Sequence, residues 1–250
     1  REFELNEEST DANEIYESFV DTVDSVNREP NPIARDGVWI PSYNDDPKLI
    51  GPFNDGRATL GNDINASIIV GNRYIVCANN GKVASCTINN TLCEWTNCDD
   101  EYNKEGIHSN GDQFNNEDIT AVALYKGYIV FGTRKGHIVA YDQNHNVWYN
   151  KDSDFSMTKN IKWPENVSIN GFLVNNETSS LYVYGDNGNV DSFNFELNEW
   201  NGSDGMINVG ISNIIGNIYT SFMINRFGKQ MLIVLGENGE AASCYVDYNT

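Results

Sequence analysis

One phrase occurs four times in this chain. It is an apolar run, a Gly-containing turn, an alternating apolar run, an acidic or Asn-rich turn and an aromatic residue. The copies are Tyr74–Trp95, Tyr128–Trp148, Leu181–Trp200 and Met231–Tyr248. A unit of this size cannot bury its own apolar face, so neighbouring copies must bury it. The turn glycines Gly81, Gly136, Gly188 and Gly239 are separated by 55, 52 and 51 residues. Three copies carry a tryptophan 12 to 14 residues after that glycine: Trp95, Trp148 and Trp200. The fourth would place its aromatic at position 251, so the last repeat is either cut short or completed from elsewhere.

Each turn reads as a β-hairpin. Asn80-Gly81, Asn187-Gly188 and Asn238-Gly239 suit a type I′ turn, which needs positive φ at both central residues. Arg134-Lys135-Gly136 suits a longer loop with glycine in the left-handed region. A further apolar run precedes each hairpin, at Ala66–Val70, Ile119–Leu124, Ile169–Val174 and Ile218–Ile224. Three or four short strands in about fifty residues match the blade period of a propeller. The sequence therefore predicts an all-β fold, a β-propeller with four to five visible blades, either complete or part of a larger ring. A sandwich or irregular barrel is the competing fold. Residues 33–250 form the propeller in this reading. A degraded fifth copy at Arg35–Asn44, flanked by Pro41 and Pro47, either closes the ring or leaves an edge for a partner.

Residues 1–32 are an acidic segment of different character. Thr10 and Asp11 are N-cap candidates, and Ile15, Phe19, Val23 and Val26 share one face of a helix over 11–27. Pro30 and Pro32 end it. This helix lies on the propeller or docks on another subunit.

The net charge is −20 and 40% of residues are hydrophobic. So acidic a chain argues against nucleic acid and anionic membrane surfaces, and is compatible with a basic protein partner. No apolar run is long enough for a membrane-spanning helix. Of five cysteines, Cys86 and Cys244 occupy the same repeat position and are expected as small core residues. Cys93 and Cys98 are the local pair considered for a disulfide. The five Asn-x-Ser/Thr triplets are close to what so Asn-rich a chain produces by chance. Asn176, in a polar turn, is the best-placed acceptor if the protein is secreted. The compartment leans slightly to intracellular.

Catalytic motifs of the serine-hydrolase, zincin, P-loop and dinucleotide-binding types are missing. His108, His137 and His145 are isolated in sequence. The clusters Asp45-Asp46, Asp99-Asp100-Glu101 and Asp152-Ser153-Asp154 read as solvated turns. Asp186–Asp191 fails the spacing of a calcium loop. No catalytic, cofactor or metal residue is assigned.

Gly136-His-Ile-Val-Ala-Tyr-Asp142 followed by Trp148 resembles a blade of the quinoprotein-like superfamily, through Ala140, Asp142 and Trp148. WD-type repeats are the neighbouring resemblance, although no Trp-Asp dipeptide occurs. The resemblance spans about residues 63–248 and is one of architecture. It implies a non-enzymatic scaffold for protein interactions within an assembly. An extracellular receptor, adhesin or lectin is the alternative, and a carboxylate-dependent hydrolase a third.

Overall fold

The computed structural model describes residues 60, 63–88, 93–101, 105–161, 163–200, 214 and 216–246. The chain divides into two compact units, residues 1–57 with 87–95 and residues 58–86 with 96–250. The second is described below. The helix expected over 11–27, the segment 1–32 and the fifth copy at Arg35–Asn44 lie outside the described residues.

Each sequence repeat is one antiparallel meander. The first holds β1 (Ile64–Val70), β2 (Arg73–Ala78) and β3 (Lys82–Ile88); β4 (Cys93–Thr96) falls largely in the first unit, and β5 (Ser109–Asn110) also pairs with β3. The second runs β6 (Ile119–Tyr125), β7 (Tyr128–Thr133), β8 (Ile138–Asp142) and β9 (Val147–Tyr149). A single-turn helix α1 (Ser156–Lys159) follows. The third sheet runs β10 (Ile169–Asn175), β11 (Ser180–Gly185), β12 (Val190–Asn194) and β13 (Glu199–Trp200). The last runs β14 (Ile218–Arg226), β15 (Lys229–Gly236) and β16 (Ala241–Tyr245). The upstream apolar runs became the first strand of each sheet. These first strands lie side by side in the order β1, β6, β10, β14. Four antiparallel sheets of three to five strands in this arrangement make a propeller-like all-β fold.

Period-two alternation decides what each sheet buries. Residues of one parity face the sheet before and residues of the other parity face the sheet after. Ile75, Cys77 and Val83 of the first sheet pack with Ile129, Phe131 and Val139 of the second. Ala121, Val130 and Ile138 of the second pack with Ile169, Leu181 and Phe193 of the third. Tyr182, Tyr184 and Val190 of the third pack with Ile218, Leu232 and Val234 of the last. The core is thus a series of apolar layers between consecutive sheets.

The Asn-Gly turns have the expected backbone. Asn80, Asn187 and Asn238 have φ of 56°, 58° and 57°, and the glycines after them 69°, 70° and 77°. Asn189 N–H donates to Asp186 O at 3.2 Å, closing the type I′ turn, while Gly185 N–H donates to Asn189 O at 3.1 Å. Two residues thus oppose one at the mouth of the hairpin, a bulge. The Arg134-Lys135-Gly136 loop is not longer than the others, contrary to the sequence reading. Thr133 N–H donates to His137 O at 3.0 Å, which leaves the same three residues outside the closing bond. Without asparagine, that loop closes instead through Gly136 N–H to Thr133 O, with Gly136 at φ 88°. His137 sits just before β8.

Candidate interaction site

The boundary between sheets is built from a recurring irregularity. The pairing of the first two strands slips by one residue between Ile64 and Ala66, Ile119 and Ala121, Ile169 and Gly171, and Ile218 and Thr220. The skipped residues are Asn65, Thr120, Asn170 and Tyr219. A bulge re-aims its side chain, and here it aims three of them at the neighbouring sheet. Asn65 Nδ2 donates to Ile119 O at 3.1 Å, Thr120 Oγ1 to Ile169 O at 2.5 Å and Asn170 Nδ2 to Ile218 O at 3.0 Å. Tyr219, the fourth, is exposed. A cavity of about 800 Å³ opens where these residues converge, with Arg134 and Asp186 also on its wall. Asn170 Nδ2 binds Asp186 Oδ1 at 2.8 Å there.

The turn glycines mark the same boundaries. A Cβ on Gly81 would meet Phe114, on Gly136 it would meet Trp163, and on Gly188 it would fall on the carbonyl oxygen of Ile214. Each obstacle belongs to the segment that leads into the next sheet. A Cβ on Gly239 would meet nothing within 4 Å.

The register makes the comparison residue by residue. Across the second sheet one row is Ala123–Val130–Ala140 and the next is Ala121–Gly132–Ile138. Across the third they are Leu173–Tyr182–Ser192 and Gly171–Tyr184–Val190. Across the last they are Phe222–Ile233–Ser243 and Thr220–Leu235–Ala241. Val130, Ile138, Tyr182 and Val190 are buried by the following sheet, whereas Phe222 is 41% and Leu235 37% exposed. The last sheet presents an apolar face at positions that its siblings cover. Ile224 and Tyr245 extend that exposed surface.

Trp95, Trp148 and Trp200 lie on β4, β9 and β13. Trp148 on β9 packs 4.9 Å from Tyr141, 5.4 Å from Phe131 and 5.7 Å from Phe114 between ring centroids. Trp200 on β13 lies 5.3 Å from Phe193, and its Nε1 donates to Ser156 O at 3.3 Å. Trp95 is buried on β4. Asn176 is exposed in the β10–β11 turn.

Two histidines read as isolated in sequence have carboxylate partners. His137 Nδ1 lies 2.9 Å from both oxygens of buried Glu117, which also accepts from Thr133 Oγ1 at 2.8 Å. His145 Nδ1 lies 2.8 Å from Asp142 Oδ2. Burial raises the pKa of the Asp142 carboxyl. Hydrogen bonds from the His145 ring and from the Asn144 and His145 amides outweigh that and hold it below the usual carboxylate value. Asp99, Asp152 and Asp154 are exposed, as solvated turns should be.

The cysteines depart from expectation. Cys86 is buried but disulfide-bonded rather than a simple core thiol. Cys98 keeps its thiol, so it does not pair with Cys93. A disulfide depends on Cα separation and direction, which spacing along the chain does not give. Cys77 and Cys244 are also thiols, both pushed up in pKa by burial. Among the described residues, no helix is long and apolar enough to cross a membrane.

No protein-family model matches this chain. No curated protein matches it either. Solved structures do. Sqt1 of Saccharomyces cerevisiae is 15% identical over 75% of this chain, with a TM-score of 0.50. The chain spans 46% of Sqt1. The computationally designed Ika4 protein is 11% identical over 77% of this chain and 95% of its own, with a TM-score of 0.49. The extracellular domain of the putative one component system BT4673 from B. thetaiotaomicron is 14% identical over 75% of this chain and 22% of its own, with a TM-score of 0.47. At such identity the likeness to Sqt1 concerns the fold alone.

Proposed function

We propose that this chain is a non-enzymatic, propeller-type scaffold that binds another protein through the outward face of β14–β16. The observation that carries the reading is the uncovered apolar face at Phe222, Ile224 and Leu235. Its register equivalents in the second and third sheets are buried or half-buried. Exposed contiguous apolar surface marks interaction sites. The net charge of −20 favours a partner with basic residues around the contact, since complementary charge speeds encounter and sets orientation. The test is a Phe222→Glu/Ile224→Glu double variant. It should fold with the parent's stability and lose partner binding in a sedimentation assay. Unchanged assembly of the variant would count against the scaffold reading.

A second reading, an extracellular receptor or adhesin of the same architecture, draws support from the Cys86 disulfide. Such bonds persist mainly in oxidising compartments. Intact mass of natively produced protein, before and after glycosidase, tests it through Asn176.

A further inference from the structure

The β14–β15 hairpin outreaches its siblings. Counted from the bulge, β1–β2, β6–β7 and β10–β11 each pair over five rungs before their turns. β14–β15 pairs over seven. The two added rungs, Asn225–Gln230 and Arg226–Lys229, carry the turn Phe227-Gly228 about 7 Å past the others, at about 3.4 Å per residue. That turn breaks a local rule. Phe227 has φ 54° and Gly228 75°, a type I′ geometry that favours asparagine in the first position. Among the described residues, eight of the eleven non-glycine positions with positive φ are asparagine, and Phe227 is the one aromatic. Its ring gains little in return. It is 89% exposed, with the Arg226 guanidinium carbon 5.3 Å from its centre. Standing in the last sheet does not account for this. Lys126 and Asn176, in the turns of sheets with a neighbour on both sides, are exposed too.

Charge sets the hairpin apart as well. Residues 218–236 contain Arg226, Lys229 and no Asp or Glu, in a chain with 36 acidic residues and a net charge of −20. The extension is also braced. Gln230, at the first added rung, accepts from Asn175 Nδ2 at 2.6 Å and donates to Glu177 Oε2, so the turn of the third sheet steadies it. Phe222, Ile224 and Arg226 share one parity on β14, which joins the exposed apolar face to the tip.

We infer that Phe227 is an anchor that enters an apolar pocket of the partner protein, with a carboxylate of that partner at the rim to meet Arg226. Aromatic and arginine side chains dominate the hot spots of interfaces, and a pre-ordered anchor loses little freedom on binding. Backbone strain that no contact within the chain repays marks a functional position. The overall charge works against an anionic membrane as the occupant. The tip asks for acid where the rest of so acidic a chain asks for base, and such a pattern fixes which way round the partner binds. The inference rests on the scaffold reading and names the chemistry of one part of its partner.

The probe is the photo-crosslinker p-benzoylphenylalanine in place of Phe227, irradiated in the full chain within its native assembly. Mass spectrometry reads the captured segment. One apolar protein segment with Asp or Glu beside it is expected. Phe227→Asn supplies the favoured Asn-Gly turn, so its urea midpoint should match or exceed the parent's. Its affinity for the cross-linked partner should nevertheless fall at least tenfold, and that of Arg226→Glu likewise. Phe222→Glu/Ile224→Glu separates this test from that of the scaffold reading. If the double variant keeps the partner and Phe227→Asn loses it, the apolar face fails and the anchor stands. If only the double variant loses it, the anchor is overturned and the face stands. A cross-link to lipid, to a second copy of this chain or to a segment without carboxylates would overturn the inference, as would none at all. So would a lowered urea midpoint in Phe227→Asn, which would mean that the ring packs within its own chain.

Discussion

Thr120 donates its hydroxyl to the carbonyl of Ile169, 2.5 Å away, from the second sheet to the first residue of the third. Asn65 and Asn170 repeat the bond at the boundaries on either side. These bonds bind neighbouring sheets through the backbone, where the apolar layers alone would tolerate sliding. Thr120→Val keeps the shape and removes the donor. It should cost about 1–2 kcal/mol, the loss of a hydrogen bond with its acceptor left behind. Urea denaturation reads the midpoint. Tyr219→Val at the fourth position has no such bond to lose and should be close to neutral.

The glycines give a sharper contrast. Gly188→Ala must accept positive φ and displace the Ile214 backbone, so a loss of roughly 3 kcal/mol or more is expected. Gly239→Ala meets only the conformational penalty, about 1 kcal/mol. Equal losses at the two positions in the isolated protein would show that Gly239 is covered after all.

Trp148 and Trp200 should behave as core residues despite their place on outermost strands. Replacing either with Ala removes aromatic packing between sheets and should destabilise by about 3 kcal/mol. Trp200→Phe should retain much of that packing and lose the bond to Ser156. Calorimetry of the three variants checks the order.

Asp142 makes stability depend on acid. Its native pKa is lowered, so it binds protons less readily folded than unfolded. Its contribution is present above the ordinary carboxylate pKa and is lost as pH falls through the lowered native value. Denaturation midpoints between pH 6 and pH 3 should fall less steeply in Asp142→Asn than in the parent. A parallel slope in the variant would remove this assignment.

Much of this fold was legible in the sequence. Alternation in Ile129–Phe131 and Ile138–Ala140 marked the strands, and Asn187-Gly188 marked a turn with positive φ. Both signals are local. The bulge was hidden, since Asn65, Thr120, Asn170 and Tyr219 are not of one residue type; only the ladder register reveals that they occupy one position. The Glu117–His137 pair, 20 residues apart in sequence, needed two strand ends to converge. The oxidised state of Cys86 needed a distance. The candidate site was legible only as a question about the last repeat. Its answer required knowing which parity of β14–β16 faces the third sheet, which leaves Phe222 and Leu235 on the other side.

In the scaffold reading, the outward face of β14–β16 is open in the isolated chain and covered in its assembly. Hydroxyl-radical footprinting measures this directly at Phe222 and Leu235. Isolated protein should oxidise at both positions far faster than at the buried Phe131 and Leu181. In the assembly recovered from its native source, both rates should fall at least tenfold. Equal protection of Phe222 and Leu235 in the isolated chain and in the assembly would contradict the account.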